Sequence, residues 1–129
     1  MLSPHHLSVF EPSQPAINPE ALELLREDLD PEDLVRVVLL YLDKLPGRLS
    51  AMVSACNNQD GAALAMVAHP MKSSSRQMGA MVLGTLCERL EYAGRDHNTT
   101  AVVELLPVLQ QEAAVVQNAL RWLVDNTAV

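Results

Sequence analysis

Aromatic residues are scarce in this sequence: Phe10, Tyr41, Tyr92 and Trp122 are all there are, 3% of 129 residues. The core must therefore be aliphatic, built from Leu, Val, Ala and Met. The same scarcity excludes single-stranded nucleic-acid binding by stacked rings. Basic residues are also few. Lys and Arg number 9 against 16 Asp and Glu, a net charge of −7, so no basic face exists to displace counterions from nucleic acid. Cysteine is limited to Cys56 and Cys87. Their wide separation matches neither a CxxC motif nor a disulfide framework, and both read as reduced core thiols of a cytoplasmic protein. Apolar runs such as Val37 to Leu42 fall far short of the roughly 20 residues of a membrane span. No charged start followed by an apolar stretch marks a secretory signal. The expected setting is the cytoplasm, with no membrane partner.

What is present describes one globular domain. Hydrophobic residues make up 49% and charged residues 19%, and a chain of this length buries roughly two-thirds of its unfolded surface without staples. The charge is concentrated. Residues 11–33 carry eight acids against Arg26 alone, so the whole −7 resides there and the remainder is neutral. Residues 1–16 hold Pro4, Pro12 and Pro15 with no hydrophobic period. They are expected to form a flexible tail, with His5 and His6 a solvated pair, ahead of a folded unit over 17–129. Met1 and that tail favour a free-standing protein.

Everything after the tail reads as helix. Asn18-Pro19-Glu20 is an N-cap, a first-turn proline and an acid, which opens a short helix ending near Asp28. Asp30-Pro31-Glu32-Asp33 repeats the signal more strongly. A long helix then carries Leu34, Val38, Tyr41, Leu42, Leu45, Leu49, Met52 and Cys56 at three- and four-residue spacing. The apolar phase continues across Pro46-Gly47, which favours a kink over a break. Asn57 to Gly61 is a turn. A third helix runs to about Met78 and is ended by Gly79. A fourth spans about 80–94, and Asp96 to Thr99 make the next loop, with His97 in it. A fifth carries Val102, Leu106, Leu109, Ala113, Val116, Leu120 and Leu123 to about Asp125, with Pro107 inside. No segment alternates as a strand does. The fold class is all-α: an up-down-up-down four-helix bundle, with the short extra N-terminal helix packed across one end.

On a helical wheel centred on Leu64, Met71, Ser75 and Met78 define the buried stripe. His69 falls at about 140°, Lys72 at about 80°, Ser73 at about 180° and Arg76 at about 120°. His69 thus points outward, with Ser73 and Ala65 as small neighbours and Lys72 and Arg76 following one and two turns on. Neutral imidazole is a nucleophile near neutral pH. Cations placed beside it can hold an anionic oxygen attached to its nitrogen. An ordinary solvated histidine is the bland alternative on spacing alone.

The segment AHPMKSSSRQMGA, residues 68–80, resembles the signature of the histidine-containing phosphotransfer (HPt) domain family, matching at Ala68, His69, Met71, Lys72, Ser73, Ser74, Ser75, Gly79 and Ala80. LGTLCERLEYAGR, residues 83–95, resembles the helix that follows in that family, with its Leu-Cys-x-x-Leu-Glu core. The resemblance covers roughly residues 17–125 and implies the same bundle. It also implies that His69 is phosphorylated, that Lys72 stabilises the phosphoryl charge, and that Ser73 fills a small-residue slot through which a partner approaches. Ser73 stands where many members have Gly. Pro70, directly after the histidine, removes a hydrogen bond to the Met66 carbonyl and should bend the helix.

The implied function is that of a phosphorelay intermediate, accepting a phosphoryl group from a receiver-domain aspartate and passing it to another. Its partners would be response-regulator receivers and a hybrid sensor histidine kinase, docking around Ala65, Met66, Ser73 and Arg76, with the chain itself monomeric. There is no glycine-rich phosphate loop, so the chain should not use ATP itself and is an enzyme only loosely. It needs no cofactor or metal of its own, the Mg²⁺ being expected on the receiver. A non-catalytic helical adaptor or inhibitor using the same face is the alternative. A metal-binding bundle would require Glu-x-x-His pairs facing inward, and the sequence has none.

Overall fold

The computed structural model describes residues 15–127. Five helices follow one another: α1 (Pro19–Asp28), α2 (Pro31–Asn57), α3 (Gly61–Gln77), α4 (Met81–Arg95) and α5 (Thr99–Asp125). The described residues contain no strand. Most of the expected tail, including His5 and His6, lies outside them.

The helix starts follow from side-chain caps. The Asn18 Oδ1 accepts from the Glu20 and Ala21 amides, Asp30 Oδ1 from Asp33, Asp60 Oδ1 from Ala63 and Asn98 Oδ1 from Ala101. Each satisfies amides that the first helical turn leaves without carbonyl partners. Only α4 starts without a side-chain cap.

The three turns within the bundle share one geometry. The residues after α2, α3 and α4 include Gln59 at φ 53°, Gly79 at φ 82° and His97 at φ 53°. The next amide reaches five residues back in each case: Asp60 to the Ala55 carbonyl, Ala80 to Ser75 and Asn98 to Ala93, all at 2.9 Å. This left-handed closure stops a helix sharply. With connections this short, consecutive helices run antiparallel. Of these three left-handed positions, only 79 holds glycine, where a Cβ would sit 3.1 Å from Ile17 Cγ2 and 3.2 Å from the Asn18 carbonyl.

Helices α2 to α5 pack in a closed ring, each touching the next and α5 returning to α2. The short α1 touches α2 and is pinned to the α3–α4 turn by the Asn18 amide donating to the Gly79 carbonyl at 2.7 Å. Leu45, Leu64, Leu83, Leu86, Leu90, Leu109 and Leu120 are fully enclosed with Met52 and Met71. The core is aliphatic, and each such side chain contributes roughly 1.5–3 kcal/mol. Helices run unbroken through Pro46, Pro70 and Pro107, all on exposed faces where solvent can satisfy the freed carbonyls.

The closest pair is α3 with α4. A Cβ on Gly61 would collide with the Gly94 carbonyl oxygen, and one on Gly94 would lie 2.6 Å from the Gly61 carbonyl oxygen. At this crossing, glycines let the two backbones touch. The consequence is functional, because this contact sets how the C-terminal half of α4 lies against the middle of α3.

Cys87 is buried, as expected of a core thiol, while Cys56 is only partly so and lines an open hollow at the end of the bundle with His97, Leu64 and Val102. Neither forms a disulfide. Burial raises the Cys87 thiol to about 12, which keeps it protonated and unreactive.

Candidate functional site

His69 lies in the middle of α3 with its side chain 60% exposed. Its Nδ1 lies 2.7 Å from Oε2 of Glu91 on α4, a carboxylate only 1% exposed. Lys72 Nζ, one turn after His69 and 16% exposed, donates to the other oxygen, Glu91 Oε1, at 3.0 Å. Arg95, one turn after Glu91 on α4, closes the group with Nη2 at 2.6 Å from Oε2. One buried carboxylate thus organises a histidine, a lysine and an arginine from two helices.

Burial by itself would push the Glu91 carboxyl up. The hydrogen bonds from Lys72 and His69, with the charges of Lys72 and Arg95, outweigh that and hold it below the ordinary glutamate value. An ionised carboxylate can only accept, so the proton of a neutral His69 ring resides on Nδ1. Nε2 is then left with a free lone pair on a ring whose side chain is largely exposed. With the imidazole neutral, the two cations exceed the one carboxylate by a single positive charge. The site therefore combines an oriented nucleophilic nitrogen with one unit of unbalanced positive charge beside it.

The structure separates the three consecutive serines. Ser73 is exposed, four residues after His69 on its face. Ser74 Oγ accepts from Arg48 Nη1 of α2 at 2.9 Å. Ser75 is buried, its Oγ 2.8 Å from the Tyr41 hydroxyl. Burial raises the Tyr41 phenol to about 12 despite that hydrogen bond. Both contacts fasten α3 to α2 directly behind the exposed face.

Two expectations need correction. Arg76 does not join Lys72 at His69: its stem lies over Gly84, where a Cβ would come within 2.6 Å of Arg76 Cγ, and its guanidinium pairs with Glu88 at 3.5 Å. The second cation of the cluster is Arg95. Ala65 is not an outward surface residue but is 5% exposed. The close approach of α4 at Gly94 covers it, widening the buried face of α3 beyond the stripe centred on Leu64. Ala65 still floors a shallow hollow of about 370 Å³, shared with Ala62, Met66, His69 and Arg95. Met66, 76% exposed, stands at its rim.

Glu91 and Arg95 were not singled out as site residues from the sequence, although a signal existed. Glu91 follows Cys87 by four residues and Leu83 by eight, so it falls on the apolar side of its helix. A carboxylate there requires a partner. Arg95, four residues further, is a pairing position. Among the described residues, no group of three or more His, Cys, Asp or Glu could hold a metal ion. No helix among them is long and apolar enough to cross a membrane.

The family model described as Hpt domain matches residues 36–119 of this chain. Among solved structures, histidine-containing phosphotransfer protein B (HptB) from Pseudomonas aeruginosa PAO1 is similar, with a TM-score of 0.83 and 23% sequence identity over 88% of this chain and 98% of that one. No curated protein matches in sequence.

Proposed function

This chain belongs to the Hpt domain family, the phosphotransfer modules of two-component signalling, and we propose that it carries its phosphoryl group on Nε2 of His69. The observation that carries this reading is the 2.7 Å contact between His69 Nδ1 and the buried Glu91 carboxylate. In the forward step the Nε2 lone pair attacks the phosphorus of an aspartyl phosphate on a receiver domain. The P–N bond forms, the bond from phosphorus to the aspartate oxygen breaks, and the aspartate leaves as carboxylate. No proton has to leave the attacking nitrogen. The ring becomes positively charged, and the Nδ1 proton stays on the hydrogen bond to Glu91, which stabilises that charge. Transfer to a second receiver is the reverse of these events.

A loose phosphoryl-transfer transition state demands alignment and charge compensation. Glu91 supplies alignment by fixing the ring. Lys72 supplies charge, being close to both Glu91 and the exposed face. The receiver brings the aspartate and its own Mg²⁺, so this chain uses neither ATP nor a metal. Its partners are receiver domains and a hybrid sensor kinase, and it acts as a monomer in the cytoplasm. Exposed Ser73 leaves room for the incoming aspartate.

The test is transfer from purified receiver domains charged with radiolabelled acetyl phosphate. The wild-type chain should gain acid-labile, base-stable label, whereas His69→Gln should keep its helical spectrum and gain none. Label persisting on His69→Gln would place the phosphate elsewhere.

A further inference from the structure

Met66 stands three residues before His69 on α3, the most exposed of the large apolar side chains among the described residues. It rims the hollow that also holds His69, Ala62, Ala65 and Arg95. Three other methionines, Met52, Met71 and Met78, are enclosed in the core, and Met81 is partly exposed at the start of α4. Met81 is far from the nucleophile: α3 and α4 are antiparallel, and the eight residues from His69 to the end of α3 span about 12 Å. Among the described residues, the thioether beside the nucleophile is thus the one most open to solution.

We infer that Met66 is a methionine-oxidation site through which peroxide-class oxidants suppress phosphotransfer by His69. The inference rests on the reading of His69 as the phosphate carrier. In the modification, a sulfur lone pair attacks one oxygen of hydrogen peroxide. The S–O bond forms, the O–O bond breaks, the proton on the attacked oxygen passes to the departing hydroxide, which leaves as water, and sulfur is oxidised by two electrons as peroxide is reduced. The product replaces a flexible apolar tip with a strong hydrogen-bond acceptor. A receiver covering His69 must also cover this tip, and a sulfoxide buried there without a donor opposes docking. The donor lining the same hollow is Arg95, which also holds Glu91 Oε2. A sulfoxide oxygen there competes for the guanidinium that helps anchor the histidine's carboxylate. The small Ala62 and Ala65 leave space for the added oxygen, so the modification needs no unfolding.

The experiment treats the full chain with hydrogen peroxide, removes it with catalase, and reduces with dithiothreitol, which restores cysteine but leaves methionine sulfoxide. Peptide mapping should place one added oxygen on Met66 before Met52, Met71 or Met78. Transfer from acetyl-phosphate-charged receiver domains should then fall roughly tenfold, with the helical spectrum unchanged. In Met66→Leu the treated-to-untreated ratio of rates should return to about one, whatever its starting rate, while Met81→Leu should keep the wild-type sensitivity. Normal transfer by protein oxidised at Met66 overturns the inference alone, as does equal sensitivity in Met66→Leu. An untreated wild type that accepts no phosphate from any receiver overturns the phosphotransfer reading and this inference with it.

Discussion

His69 and Glu91 are joined across the α3–α4 interface by a 2.7 Å contact between Nδ1 and Oε2, which links an exposed ring to a carboxylate almost wholly enclosed. A carboxylate is costly to bury unless it is paired. Glu91 is tolerated because Lys72 and Arg95 supply charge and His69 supplies a proton. The same pairing dictates which nitrogen of a neutral ring keeps a free lone pair. Structural compensation and chemical orientation are one set of contacts here.

Glu91→Gln preserves volume but removes the charge on which two cations converge. It should lower the stability measured by urea denaturation by about 2 kcal/mol, less than a fully buried pair would lose because Arg95 is half exposed. It should also slow phosphotransfer, because an amide can donate to Nδ1 as well as accept and no longer dictates the tautomer.

Acid should remove the Glu91 contribution. The folded carboxyl binds its proton more weakly than the unfolded one, whose value is about 4.3. The contribution is therefore complete above the unfolded value and is lost as pH falls through the depressed folded value. The stability difference between wild type and Glu91→Gln should shrink as pH falls below about 4. A difference that grows as pH falls below about 4 would contradict this origin.

Lys72→Ala should slow transfer roughly tenfold to a hundredfold, the scale of losing one well-placed charge at a phosphoryl group. Arg76→Ala should change it much less, because that guanidinium is turned to Glu88. Rapid-quench measurement at subsaturating receiver compares them directly, and equal effects would return Arg76 to the site.

Ser73→Phe should leave stability within about 0.5 kcal/mol, as is usual for exposed substitutions. It should raise the receiver dissociation constant and suppress transfer, since position 73 lies about 6 Å along the face from His69. Labelling by phosphoramidate, which needs no docking, should persist, and Ser73→Gly should resemble wild type. Normal transfer by Ser73→Phe would put the docking face elsewhere.

Gly94→Val tests whether the helix crossing positions the site. Its Cβ would lie 2.6 Å from a backbone oxygen that no side-chain motion can remove. Destabilisation above about 2 kcal/mol is expected, of the kind produced by overpacking. The milder Gly94→Ala should retain the fold with the helices spread apart. A nitrogen-15 spectrum of its His69 ring should then show a weaker Nδ1 hydrogen bond.

The sequence by itself determined the helices, their order and the outward placement of His69. These depend on local information: caps at Asn18 and Asp30, a 3.6-residue apolar period, and glycine at the left-handed Gly79 turn. One wheel suffices to find the exposed face of one helix. What surrounds His69 could not be read that way, because it depends on how two helices sit against each other. Only tertiary structure exchanged Arg76 for Arg95, buried Ala65 and brought Glu91 from 22 residues away onto Nδ1. The physical reason is the contact of Gly61 with Gly94, which lets α4 approach α3 closely enough for a carboxylate on one helix to select the tautomer of a histidine on the other.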